Sequence, residues 1–121
     1  MSIEEGIAGG QLAEVSNAIV GILRECYGRG PTKAKTYMFD NYVVTVLEDI
    51  LTTVEGTLVQ NGEADLVRQV RVTFQEAVAH RFTDAVSDVL DREVMVYHSQ
   101  VTFDPPMGFE FFVLRPEPDA Q

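Results

Sequence analysis

A long amphipathic helix that runs into an arginine-bearing junction and then a β-hairpin occurs twice along this sequence. The first helix ends in Tyr27-Gly28-Arg29-Gly30-Pro31, ahead of strands around Lys35–Phe39 and Tyr42–Glu48. The second ends in Leu90-Asp91-Arg92-Glu93, ahead of strands around Val94–Phe103 and Phe109–Leu114. A lone hairpin is marginal in water, so the two must pair and be covered. The expected fold is therefore α+β, a four-stranded antiparallel sheet from two β-hairpins with two long helices, an αββ–αββ pseudo-repeat.

Local signals place the elements. Leu12, Val15, Ile19, Ile22, Leu23 and Cys26 follow three- and four-residue steps, which predicts a helix over Gln11–Tyr27 with one apolar stripe. Gly6, Gly9 and Gly10 leave the residues before it loose. Gly28 supplies a left-handed cap and Pro31 keeps the helix from resuming. Asp40-Asn41 suits a tight turn between two β-branched and aromatic arms. Thr52-Thr53-Val54-Glu55 matches a capping box opening a short helix that closes near Gln60-Asn61-Gly62.

The second long helix is expected from about Glu63 to Leu90, burying Val67, Val70, Phe74, Val78, Phe82, Ala85 and Val89. Asp88 and Arg92 sit at the spacing of an end-of-helix ion pair. Asp104 to Gly108 reads as a loop because neither of its prolines can donate to a ladder. Arg115 to Asp119 reads as a disordered polar tail.

Both faces of the strands are apolar. Phe109, Phe111 and Val113 point one way, with Phe112 and Leu114 pointing the other beside Glu110. Tyr42, Val44 and Val46 likewise oppose Val43 and Leu47. A sheet covered on one side should alternate apolar with polar. Either the helices divide between the faces or another subunit covers the second one. Two long helices cover one four-stranded face, which favours a homodimer.

At 121 residues the chain reads as a single domain, 1–121, with an ordered core over about 11–114. One cysteine excludes an internal disulfide. No apolar run reaches the length of a membrane span, and Glu4 and Glu5 stand where a signal peptide would be basic. These features point to the cytoplasm, without membrane insertion. The net charge of −10 opposes nucleic-acid binding.

No catalytic, cofactor-binding or metal-ligating set is evident, and the chain does not read as an enzyme. Neither His80 nor His98 has a partner at metal-ligand spacing on its own element. His98 and Ser99 are strand neighbours that point to opposite faces, so they make no nucleophile and base pair. Cys26 lies in the helix stripe as a small hydrophobe. Arg24, Arg29, Lys33 and Lys35 concentrate four of the nine basic residues at the first helix end and the first strand. They answer the helix dipole, or, through Arg29, Lys33 and Arg92 at the two junctions, offer a site for an anion or small ligand.

The string Leu23-Arg24-Glu25-Cys26-Tyr27-Gly28-Arg29-Gly30-Pro31 resembles the opening of the MpsC-like family. So does Leu47-Glu48-Asp49-Ile50-Leu51-Thr52-Thr53-Val54-Glu55-Gly56-Thr57-Leu58, and the similarity runs from Gln11 to Leu114. The family tends to have proline where Thr53 stands and an acidic residue where Gln100 stands. The resemblance implies a soluble accessory or regulatory component of a sodium-translocating, membrane-potential-generating system, partnered with integral membrane proteins.

Overall fold

In the computed structural model residues 9–117 are described. The flexible N-terminus expected before Gly9, and Pro118 and Asp119 of the expected tail, lie outside them. The elements are α1 (Gly9–Tyr27), β1 (Lys33–Phe39), β2 (Tyr42–Glu48), α2 (Thr53–Gln60), α3 (Ala64–Ala77), α4 (Ala79–Leu90), β3 (Val94–Phe103) and β4 (Pro106–Leu114). The sheet is four-stranded and antiparallel, in the order β1-β2-β4-β3. The fold is α+β, and β2 and β4 are its central strands.

The first half follows its local signals. Gly28 takes φ +81, and its N–H reaches the carbonyl of Arg24 at 2.9 Å. Asp40 turns the hairpin at φ 55. The capping box is complete, with Thr52 Oγ1 accepting from the Glu55 amide at 3.1 Å and Glu55 Oε1 accepting from the Thr52 amide at 2.9 Å. One difference is that Gly9 and Gly10 belong to α1, which starts before Gln11.

The second half departs from the expected repeat. One continuous helix from Glu63 to Leu90 does not form; α3 and α4 meet at Val78, whose φ of −111 and ψ of 14 leave the helical region. The buried residues explain the break. Val67, Arg71 and Gln75 form one row on α3, and Phe82, Val86 and Leu90 another on α4. In a straight helix, from Val67 to Leu90, that sequence of positions would drift about 140° around the axis. The bend at Val78 brings both rows onto the core. Val70, expected in the stripe, is instead 55% exposed, and Arg71 holds the buried position beside it. With three helices where the first half has one, the αββ–αββ duplication and its two long helices give way to one long helix and three shorter ones.

Two smaller corrections concern the last hairpin. Pro106, Met107 and Gly108 belong to β4, pairing with Phe103, Thr102 and Val101. Pro106 is the first residue of its strand, where proline is tolerated, so only Asp104-Pro105 turns the chain. Arg92 makes no pair with Asp88 among the described residues. It donates to Asn41 Oδ1 at 2.7 Å and to the Arg115 carbonyl at 3.0 Å. Arg115 is in turn held by Glu93, through its side chain and its amide, each at 2.8 Å. The start of the expected loose tail is therefore tied to the β3 junction.

All helices that bury apolar residues lie on one face of the sheet. Leu12, Val15, Ile19, Ile22 and Leu23 of α1 and Phe82, Val86 and Leu90 of α4 pack over Met38, Val43, Leu47, Phe112 and Leu114. The helices do not divide between the two faces. The other face carries Phe39, Tyr42, Val113 and Val96 in one cross-strand row, and Tyr37, Val44, Phe111 and His98 in the next. Tyr37, Phe39, Tyr42 and Val96 are each 45–60% exposed.

Candidate functional site

A polar row crosses all four strands on the covered face. The register aligns Thr36 with Thr45, Thr45 with Glu110, and Glu110 with Ser99. At the β1 side, Ser16 of α1 and Thr36 share a hydrogen bond at 2.7 Å, and Thr36 and Thr45 share one at 2.8 Å. The chain of hydroxyls satisfies polar groups that the core would otherwise penalise.

At the β3 side the row ends in a buried carboxylate. Glu110 is 2% exposed, in a central strand, beneath the helices. Ser99 Oγ donates to its Oε2 at 2.8 Å and Tyr97 Oη donates to its Oε1 at 2.5 Å. Burial pushes the Glu110 carboxyl up to about 7, against the Tyr97 and Ser99 hydrogen bonds and the charge of Arg71, which all favour the ionised form. The phenol of Tyr97 is raised too, by burial first and by the Glu110 charge second. Its ring is stacked between Phe82 and Phe112, at 5.9 and 5.1 Å between centroids, which fixes the hydroxyl over the carboxylate.

Arg71 is the second buried charge, 3% exposed. Its Nε donates to Glu55 Oε2 at 2.8 Å and its Nη2 to Glu55 Oε1 at 2.7 Å, a forked pair that a lysine could not reproduce. Nη2 also reaches the Ile50 carbonyl at 2.9 Å. Glu55 thus caps α2 and anchors α3 with the same carboxylate. Burial would raise its pKa, but the Arg71 hydrogen bonds and the Thr52 amide outweigh burial and hold it below the usual carboxylate value. The guanidinium lies 4.1 Å over the Tyr27 ring, whose buried hydroxyl has no hydrogen-bond partner among the described residues. Burial pushes that phenol up to about 12.

Arg71, Tyr97 and Ser99 open onto a cleft of about 300 Å³ between α3 and the edge strand β3, bordered also by Val72, Gln75, Glu76, His98 and Val101. Gln75 Oε1 lies 3.2 Å from Tyr97 Oη, which links the helix wall of the cleft to Glu110.

The residues singled out from sequence fall elsewhere. Arg29 donates to the Leu51 carbonyl and pairs with Asp49 at 3.1 Å, at the Glu48 end of β2. Arg92 is bound to Asn41, at the other end of β2, so the strand's length of about 23 Å separates the two arginines. Lys33 is exposed at the start of β1 and forms no ion pair among the described residues. The structure does not bring these three cations to one place. His98 and Ser99 do point to opposite faces, His98 beside Phe111 and Ser99 onto Glu110. Cys26 packs at the margin of the core, 3.6 Å from Arg81 Nη1.

The family of the Na+-translocating membrane potential-generating system (MpsC) matches residues 9–116, which takes in the capping-box helix, the polar row and both central strands. The chain belongs to the MpsC family. No curated protein and no solved structure matches it. In this MpsC-family chain no described helix is long and apolar enough to cross a membrane. Among the described residues no group of three or more His, Cys, Asp or Glu is placed to hold a metal ion.

Proposed function

We propose that the chain is a cytoplasmic accessory or regulatory protein, not an enzyme, that works as a homodimer beside a sodium-translocating membrane system. The observation that carries this reading is the uncovered sheet face. Three consecutive cross-strand rows there hold Phe39, Tyr42, Val113 and Val96, then Tyr37, Val44, Phe111 and His98, then Lys35, Val46, Phe109 and Gln100. At ordinary strand spacing and rise the face measures about 20 by 23 Å, enough for a modest interface when two copies meet. A flat apolar patch of that size on a monomer is an aggregation liability, and a two-fold contact removes it using one surface twice.

The family's description supplies the membrane system, and the accessory role follows from joining it to a surface built for protein contact. A photo-crosslinking residue in place of the exposed Tyr37 tests both parts in native cells. The expected result is a crosslink to a second copy of the chain, and recovery of that dimer with integral membrane proteins of a sodium-translocating complex. Recovery of monomer alone, with no membrane protein, would refute it.

A further inference from the structure

The cleft between α3 and β3 combines apolar walls with spare hydrogen-bond donors above a buried acid. Val72, Ala79 and Val101 line it alongside Arg71 and Gln75, and the exposed Glu76 and His98 also border it. Arg71 and Gln75 are one helical turn apart, so their side chains are neighbours on one face. Arg71 uses Nε and Nη2 on Glu55 and Ile50, and among the described residues Nη1 makes no hydrogen bond. The Gln75 amide nitrogen makes none either, since only its oxygen faces Tyr97. Two unspent donors on adjacent turns match the two oxygens of a carboxylate. The cleft opens at the free edge of the sheet, because β3 is a terminal strand, and its volume is at the small end of ligand pockets.

We propose that this cleft binds a small apolar monocarboxylate, head on Arg71 Nη1 and Gln75 Nε2 and body against Val72, Ala79 and Val101, with uptake of a proton by Glu110. The proton linkage follows from hydrogen-bond counting. The Tyr97 hydroxyl has one hydrogen, yet its oxygen lies within reach of two acceptors, Glu110 Oε1 and Gln75 Oε1. With Glu110 protonated, the acid donates to Tyr97, Tyr97 donates to Gln75 Oε1, and Gln75 turns its NH2 toward the cleft. With Glu110 ionised, Tyr97 donates to Glu110, and Gln75 must reverse its amide to satisfy the phenol oxygen. The reversal withdraws the donor from the cleft, and the Glu110 charge repels the carboxylate. The groups facing Glu110 are Tyr97 and Ser99 from β3 and Arg71 from α3, with the Tyr27 phenol of α1 near enough to interact. Glu110 is the group among them that exchanges a proton near neutrality.

Titration of the isotope-labelled protein with potassium benzoate, followed by amide chemical shifts at pH 6 and pH 8, tests the proposal, with benzamide as the uncharged control. Saturable shifts are expected at Val72, Gln75, Ser99 and Val101, with a dissociation constant on the order of 1 mM at pH 6 and about tenfold weaker at pH 8. Benzamide should bind more weakly at pH 6. Val72→Trp, at an exposed position on the rim, should abolish the shifts. His98→Gln should keep the pH dependence, and Glu110→Gln should remove it. Absence of saturable shifts in the parent, shifts that survive Val72→Trp, or a pH dependence that follows His98 would each overturn the proposal.

Discussion

The two faces of the sheet are made by alternate residues of the same strands, and the buried one carries a polar row across its apolar side chains. The covered face holds Thr36, Thr45, Glu110 and Ser99 in a single row. The open face holds Tyr37, Val44, Phe111 and His98 in the row on one side of it and Lys35, Val46, Phe109 and Gln100 in the row on the other. Both faces carry apolar side chains, so hydrophobicity alone separates them poorly. What makes the covered face interior is satisfaction: each polar group in the row has a partner placed by the register or by a helix above it. The open face stays outside because the described helices pack on the other side.

The sharpest way to break this contrast is to remove a partner on the covered side. Arg71→Leu strands the Glu55 carboxylate at 13% exposure and leaves the Ile50 carbonyl unpaired. Urea unfolding should show a loss of about 3–5 kcal/mol, and the loss should not depend on protein concentration. A loss below about 1 kcal/mol would mean that the ion pair is dispensable.

Glu110 sharpens the comparison through pH. Its pKa is about 7 when folded, against an ordinary value of 4.5, so the folded state binds the extra proton between those values. Stability is then full below pH 4.5, as far as this group is concerned, and is lost as pH rises through about 7. The effect is on the order of 3 kcal/mol. Glu55 acts in the opposite sense, since its folded value is lowered and its contribution is lost only as pH falls below the ordinary carboxylate range. Unfolding curves from pH 5 to pH 8 should slope downward for the parent, and the slope should flatten in Glu110→Gln.

Neighbours on one strand give the finest comparison. Thr45→Val removes a bond from the buried row and should cost about 1 kcal/mol at any protein concentration. Val44→Thr, one residue earlier and on the open face, should leave the monomer's stability within about 0.5 kcal/mol but weaken self-association. Melting scanned across concentration separates the two, and equal behaviour would erase the distinction between the faces.

Much of the fold was legible because its signals are local. Gly28, the Asp40 turn and the Thr52–Glu55 box need only their own segments to act. The break at Val78 was not, since both halves of that helix are amphipathic and the bend follows from where the core lies. The apparent repeat misled for the same reason: similar helix and strand order concealed different packing. The site was legible only in part. Glu110 stands out in hindsight as an acid in phase with Phe112 and Leu114, and Arg71 and Gln75 follow Val67 at four-residue steps. Reading them as a site needs the register that sets Ser99 and Tyr97 beside Glu110, which no single segment contains. Arg29 and Arg92 are conspicuous as junction cations, yet their partners tie strand ends together.

Self-association through the open face is read out by sedimentation at micromolar concentration. The parent is expected to sediment as a dimer, and Phe111→Glu, in the middle of the open face, as a folded monomer of 13.5 kDa. A parent chain that sediments as a stable 13.5 kDa monomer would mean that the open face does not pair two copies.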